Sequence, residues 1–367
     1  MNNFSNLLKN IDKILIAVTV LLAGISILMI GSTQIQSGFF SREVIVQIAA
    51  YLIGLVAVCI ILHFNYNMFF GMEKYLYLLS IVLLLLVYIP GLGVELYGAR
   101  SWITLGFTTV QPSEIVKILY ILILAGYLSE NRDMLYNFKG LLKAGIVAGP
   151  IIIIVLKEDL GSALVFAAIW VVMVFFAGID LKVFGKFFAL VLAAVPVAYV
   201  FMADYQKERI EAFLHPDNLD LSGNYQVWQS KVAIGSGGIT GKGLFNGTQK
   251  ELDFIPVQSS DFIFSVIGEE LGLIGGLVVI GLFTILLTRM ATIVRDALDF
   301  YGALVVVGVI GMFTFQVFEN IAMTMGLMPV TGITLPFLSS GGSSIISNML
   351  ALGLVLDVGM RSKGINF

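Results

Sequence analysis

The residues of this chain best suited to chemistry are carboxylates set in or beside apolar runs. Asp261 stands where a polar segment, 204–260, meets the run Phe262-Ile263-Phe264-Ser265-Val266-Ile267-Gly268. A carboxylate at such a border touches water on one side and an apolar phase on the other. That suits an amphiphilic substrate, although Asp261, with Ser259 and Ser260 as neighbours, would also serve as a plain helix N-cap. Glu114 and Lys117 are spaced i, i+3 in another apolar run and can pair, which lowers their burial cost. Such a pair either locks helices together or lines a polar cleft for an anionic head group. Glu158-Asp159 separates two apolar runs. It is either a loop charge pair or a second carboxylate near Asp261, able to bind a metal or a sugar hydroxyl. Glu269 and Glu270 follow Asp261 by eight and nine residues, about 12 Å along a helix. At about 100° per residue they point in different directions, so at least one must face the protein interior. Glu319-Asn320 suits interhelical hydrogen bonding. Ionisable groups inside apolar runs are costly, which makes each a functional candidate.

The segment 329–344, rich in Pro, Gly, Ser and Thr, is too irregular for one helix. Buried non-helical backbone of this kind can line a cavity, and its amides and hydroxyls could receive phosphate. Other catalytic apparatus is missing from the sequence. There is no Walker motif and no nucleophile elbow, and neither His63 nor His215 sits in a metal-ligand pattern. Cys59 is the sole cysteine, so no intrachain disulfide can form. The inventory suits carboxylate-assisted group transfer to a hydroxyl, with a divalent cation (Mg or Mn) on a phosphate leaving group. It equally suits a polar conduit for an amphiphile. No organic cofactor and no nucleic-acid partner is expected.

The elements that must position these groups are membrane helices. Hydrophobic residues make up 58% of the 367 positions and charged residues 12%, against about 25% charged in soluble domains. Mean hydropathy is +0.97. Long continuous apolar runs, rather than weak alternation, predict helices and not a barrel. The fold expected is an all-α polytopic membrane protein, one integral domain over 1–367. Ten spans are predicted: 12–31, 44–63, 74–90, 112–128, 142–156, 160–178, 184–203, 261–288, 299–327 and 341–360. Even parity puts both termini on one side. With the termini inside, twelve Lys and Arg fall inside and eight outside, most of the latter in 204–260; the positive-inside rule therefore makes both termini cytoplasmic. The 204–260 segment becomes a large folded extracellular loop. A short amphipathic helix is expected over Tyr225–Ile234, followed by tight turns at the glycines between 235 and 247.

Several runs together resemble one family. They are Ala99-Arg100-Ser101-Trp102-Ile103, Gln111-Pro112-Ser113-Glu114, Asp159-Leu160-Gly161-Ser162-Ala163, Gln229 to Gly238, Asp261-Phe262-Ile263-Phe264, and Pro329 to Ser343. In this order they resemble the SEDS proteins of shape, elongation, division and sporulation, over essentially the whole chain. Lys242-Gly243-Leu244-Phe245-Asn246-Gly247-Thr248-Gln249 looks more like the elongation branch than the division branch, with a sporulation paralogue left open.

The resemblance implies a peptidoglycan glycosyltransferase that polymerises lipid II into β-1,4 glycan strands at the outer face of the bacterial cytoplasmic membrane. The reaction inverts, with undecaprenyl diphosphate leaving. The alternative is a lipid II flippase. The implied partners are a class B penicillin-binding protein, docked near the eighth and ninth spans through small residues such as Gly272, Gly275, Gly276, Gly302 and Gly308, and the elongation machinery. The family's essential aspartate matches Asp261, which is either the base or a metal-bound equivalent. Its further conserved residues match Glu114, Lys117 and Asp159. Arg100 and Lys117 are candidates for diphosphate contact, with Ser343 in support. The chain departs from the family pattern at Ser259-Ser260, at Glu158 and at Ser339-Ser340-Gly341-Gly342-Ser343.

Overall fold

The computed structural model describes residues 7–34, 38–96, 99–104, 106, 109–221, 223–248 and 257–362. The end of the 242–249 motif and Lys363 lie outside the described residues. Helices dominate: α1 (Lys13–Thr33), α2 (Arg42–His63), α3 (Glu73–Leu85), α4 (Pro112–Glu130), α5 (Phe138–Glu158), α6 (Leu160–Phe176), α7 (Leu181–Phe201), α8 (Asp204–Leu214), α9 (Asn224–Gly237), α10 (Ile263–Asp296), α11 (Phe300–Thr324) and α12 (Gly342–Ser362). A helix occupies each of the ten stretches predicted as spans. Seven of them (α1, α2, α4, α5, α10, α11 and α12) are long and apolar enough to cross a membrane, and α6 is a shorter apolar helix.

Aspartates start several helices by accepting the free first-turn amides. Asp12 accepts from Ile14 N and Leu15 N, Asp159 from Ser162 N, and Asp299 from Gly302 N. Pro112 sits at the first turn of α4, where its missing N–H costs nothing. The centre of the bundle is α4, α11 and α12, whose side chains are buried nearly all round. α12 packs along α2, and α11 packs against α6, α10 and α4. α1, α2 and α5 keep one apolar face bare, with Val20, Leu21, Leu52, Ile53, Ile146 and Ile153 exposed. A helix whose outer face is as apolar as its core needs a hydrocarbon solvent.

The all-α expectation needs a correction. Between α3 and α4 the chain forms a three-stranded antiparallel sheet: β1 (Gly93–Leu96), β2 (Ala99–Thr104) and β3 (Thr109–Val110). Gly93 pairs with Ile103, Val94 with Trp102 and Ile103 with Val110. Val, Trp, Ile and Thr favour strands, but the strands are too short for their pattern to stand out among apolar runs.

The described part of the 204–260 segment carries α8 and α9. α9 contains the expected Tyr225–Ile234 stretch, and α8 is an addition. The glycine-rich stretch after α9 does not lie apart from the bundle. It is stitched to α10 at Gly272, where φ 64 and ψ −161 interrupt the helix. Leu273 N donates to Gly238 O and Ile274 N to Ile239 O, while Lys242 N and Gly243 N donate to the carbonyls of Glu269 and Glu270. The break thus gives its orphaned backbone groups to the loop, in the manner of paired strands.

Candidate functional site

Asp261 closes the segment before α10 and is half-buried. Its backbone is fixed from two sides. Asn320 Nδ2 donates to Asp261 O at 2.9 Å and to Ile333 O at 2.7 Å. Ser339 Oγ donates to Ser260 O at 2.5 Å, and Ser340 N donates to Ser259 O at 2.8 Å. Its carboxylate accepts from Ser260 Oγ through Oδ1 at 2.8 Å. Oδ2 takes no hydrogen bond among the described residues and lies where a side chain on Gly332 would begin, 3.5 Å away. Desolvation raises the Asp261 carboxyl above its ordinary pKa, Asp159 adds to the rise, and Ser260 and Arg209 oppose it.

The irregular segment between α11 and α12 forms the wall beside Asp261. Ile333, Leu335, Phe337 and Leu338 are buried and anchor it. Phe337 holds φ 61, unusual for a bulky residue. Tyr51 donates to its carbonyl, and Ser26 Oγ to that of Leu338 at 2.8 Å. Thr331 is the junction: its Oγ1 donates to Glu319, and its carbonyl accepts from Arg209 Nη1 at 3.1 Å. That carbonyl also lies against Gly161, where a Cβ would come within 2.7 Å of it. Glu319 and Asn320 are both fully buried. Some amides of the segment are engaged. Leu335 N donates to Ser339 Oγ, Ser339 N to Leu335 O and Gly341 N to Gln47 Oε1. These three amides are engaged within the protein rather than offered to a phosphate.

Asp159 is brought close to this wall. It caps α6 and accepts from Ser162 Oγ at 2.7 Å and Gln111 Nε2 at 2.8 Å. Gln111 N in turn donates to Ser343 Oγ at 3.2 Å, which places Ser343 between Gln111 and the irregular segment. Asp159, Glu158, Arg100 and Ser113 line a narrow cleft of about 20 Å³, room for about one water. Glu158 accepts from Tyr88 OH at 2.8 Å and from Arg100 N at 3.1 Å. The structure thus gathers Arg100, Asp159 and Ser343 near one another, with Asp261 across the Thr331–Gly332 strip.

Glu114 and Lys117 behave differently. Lys117 Nζ pairs with Glu114 Oε1 at 2.8 Å, and Lys117 is 1% exposed. Glu114 Oε2 and Ser113 Oγ have no partner. The pair is a buried polar knot between α4 and α12, where Ser347 Oγ donates to Glu114 O at 2.6 Å.

A family model described as Cell cycle protein, covering FtsW, RodA and SpoVE, matches residues 12–364. The chain belongs to this family. Stage V sporulation protein E of Bacillus subtilis is 38% identical over 96% of this chain and 98% of its own length. The peptidoglycan glycosyltransferase MrdB of Escherichia coli K12 is 34% identical, covering 96% and 95%. One similar solved structure, at 30% identity and TM-score 0.81, covers 96% of this chain and 98% of its own; it was described under structural coordination of polymerization and crosslinking by a peptidoglycan synthase complex. The rod shape determining protein RodA of Thermus thermophilus is similar at 28% identity, with TM-score 0.71 over 96% and 98%.

Within this FtsW, RodA and SpoVE member, reasoning from sequence missed Arg209, Thr331 and Gln111. Arg209 has a local signal in hindsight: Tyr205 and Arg209 are i, i+4 on α8, with the guanidinium 5.8 Å from the ring centre. Thr331 carries no such signal. Glu269 and Glu270 are both buried, in line with the expectation that at least one faces the interior. Glu269 accepts from Lys242 and Thr248, and Glu270 from Ser32 and the amide of Phe245. Among the described residues, no three His, Cys, Asp or Glu side chains converge as metal ligands. A cation at Asp261 would have to draw its remaining oxygens from substrate phosphates and water, as Mg commonly does.

Proposed function

We propose that this chain is a peptidoglycan glycosyltransferase that polymerises lipid II, with Asp261 as its base. The observation that carries the reading is Asp261 itself. It is a half-buried carboxylate whose backbone is held by Asn320 and whose Oδ2 takes no hydrogen bond among the described residues. An unengaged oxygen on a partly desolvated acid is poised to accept a proton. The relatives' names supply the substrate class, since MrdB is named a peptidoglycan glycosyltransferase.

In this reading the GlcNAc 4-hydroxyl of one lipid II attacks the anomeric carbon of the growing strand. The new bond forms to O4 and the bond to undecaprenyl diphosphate breaks. Asp261 Oδ2 takes the hydroxyl proton, and the α linkage becomes β. Asn320 and the Ser339–Ser260 contact keep the base in place, and Ser260 Oγ turns the other oxygen away. A divalent cation, when bound at Asp261, would supply charge neutralisation for the diphosphate. Asp159 and Arg100 flank the neighbouring narrow cleft.

The same reading places the Asp261 end at the outer face, both termini in the cytoplasm and ten spans across the membrane. A crosslinking class B penicillin-binding protein docks near α10 and α11. The elongation role rests on the Lys242–Thr248 motif, while 38% identity to a sporulation protein keeps that branch as the competing assignment. A transporter has less support, because the deeper carboxylates Glu269 and Glu270 are taken up by Lys242, Thr248, Ser32 and Phe245. The test is polymerisation of lipid II by purified protein with its partner, with and without divalent cation. Asp261→Asn should lose about 10²–10⁴-fold in rate, the usual worth of a general base. Near wild-type polymerisation by Asp261→Asn would refute the assignment.

A further inference from the structure

The cations of this chain are not equally available to a diphosphate. Lys117 is spent on Glu114 in the bundle interior. Lys242 is spent on Glu269. Arg100 lines the cleft beside Glu158 and Asp159, and its backbone N–H donates to Glu158. Arg209 is different. It is half-buried, and its guanidinium holds Thr331 O, one residue from the Gly332 that Asp261 Oδ2 faces. Yet it forms no ion pair within 4.0 Å with any carboxylate among the described residues. A guanidinium carries five N–H donors, and the bond to Thr331 O occupies one Nη1 donor.

The rest of α8 is arranged to hold that side chain still. Gln206 Nε2 donates to Leu156 O at 2.9 Å and Tyr205 OH to Glu158 O at 3.1 Å, which pins the helix onto the end of α5. The Tyr205 ring lies beside the guanidinium, 5.8 Å from its centre. Partial burial of a fixed, unpaired guanidinium is costly unless it meets an anion.

We propose that Arg209 binds the leaving diphosphate of the polyprenyl-linked donor. This deepens the glycosyltransferase reading and rests on it for the identity of the donor. An inverting displacement needs the base on one face of the anomeric carbon and the diphosphate on the other. Arg209 and Asp261 meet the same strip of backbone: the guanidinium donates to Thr331 O, Asp261 Oδ2 faces Gly332, and no ion pair joins the two side chains. The planar fork of arginine matches phosphate oxygens two at a time, and a positive charge there stabilises negative charge as the glycosidic bond breaks. No covalent step at Arg209 is involved.

The experiment measures binding of undecaprenyl diphosphate to purified full-length protein in detergent, together with inhibition of lipid II polymerisation by the same compound. Arg209→Gln should weaken diphosphate binding by about ten- to hundredfold, the worth of charge-assisted hydrogen bonds. Arg209→Lys, which keeps the charge and can still reach Thr331 O, should recover part of that affinity with an unchanged melting temperature. Arg295→Gln, at the exposed far end of α10, should leave diphosphate affinity within about twofold of wild type, as expected for a charge outside the site. Unchanged affinity in both Arg209 variants, or an equal loss in Arg295→Gln, would overturn the proposal. Wild-type protein that binds the diphosphate through Arg209 but polymerises no lipid II would leave the site standing and sink the glycosyltransferase reading. Active polymerisation with unchanged diphosphate binding in Arg209→Gln would do the reverse.

Discussion

Lys242 donates to Glu269 across the break in α10, with Nζ 2.7 Å from Oε1. Thr248 adds its amide and hydroxyl to the same oxygen at 2.9 and 3.1 Å. The loop that precedes Asp261 in the chain is thereby fastened to the helix that follows it. Removing Lys242 leaves a buried carboxylate, since Glu269 is 1% exposed. Lys242→Met should therefore destabilise the protein by about 1–3 kcal/mol, the cost of a buried polar group losing a partner. Thermal melting of the solubilised protein reads this. A second change, Glu269→Gln, should restore part of the loss; if the double variant melts lower than either single one, the pair is not what holds the loop.

Gly272 makes that fastening possible. Its φ of 64 and ψ of −161 are a backbone region essentially reserved for glycine. A Cβ there would lie 2.4 Å from Gly241 N and 2.6 Å from Ile239 O. Both contacts are to backbone, which cannot swing aside. Gly272→Ala should cost about 1–3 kcal/mol in strain alone, and it should lower polymerisation more than a comparable change at Gly281, where a Cβ meets nothing within 4 Å. Equal behaviour of the two alanine variants would contradict the role given to the break.

Glu114 and Lys117 form a buried pair, so removing one partner strands the other. Lys117→Met should destabilise by about 3–5 kcal/mol, whereas Glu114→Gln combined with Lys117→Met should recover most of it. A double-mutant cycle on melting temperature measures the coupling. If the stability of the double variant returns but polymerisation does not, the pair also serves the substrate, through the unpartnered Glu114 Oε2.

Asp261 should set the acid limb of the pH profile. Burial raises its carboxyl, while the Ser260 hydroxyl holds it down and Asp159 pushes it up. A base works only when ionised, so polymerisation falls as pH drops through the folded pKa. Ser260→Ala should move that limb to higher pH, and Asp159→Asn, which keeps a helix-capping side chain, should move it lower. The stability sign is opposite. A raised carboxyl favours the protonated form in the fold, so ionised Asp261 costs stability above its folded pKa, and the cost vanishes as pH falls through it. Asp261→Asn should then melt no lower than wild type at neutral pH while losing activity. Rate measurements from acid to neutral pH, paired with melting curves, check both signs.

Much of this molecule is written in local sequence, because burial in lipid leaves long apolar runs and helix ends leave short polar signatures. The ten helical stretches, the irregular 329–344 segment, the α9 helix and the candidacy of Asp261, Asp159 and Glu114 with Lys117 all come from patterns within a few residues. The family motifs add substrate class in the same local way. Tertiary structure decided what those residues touch. Asn320 holds Asp261, Ser32 meets Glu270, Gln111 joins Asp159 to Ser343, and Arg209 reaches Thr331, in each case across tens to hundreds of positions. No periodicity encodes such pairings, since each depends on how helices pack and where an interrupted backbone finds new partners. The small sheet at Gly93–Val110 was hidden for a related reason: its strands are short, and their alternation is lost beside helices apolar on every face. The sequence alone named a lone carboxylate at a membrane border; only the folded chain shows that its free oxygen faces a glycine, with an unpaired arginine within electrostatic reach.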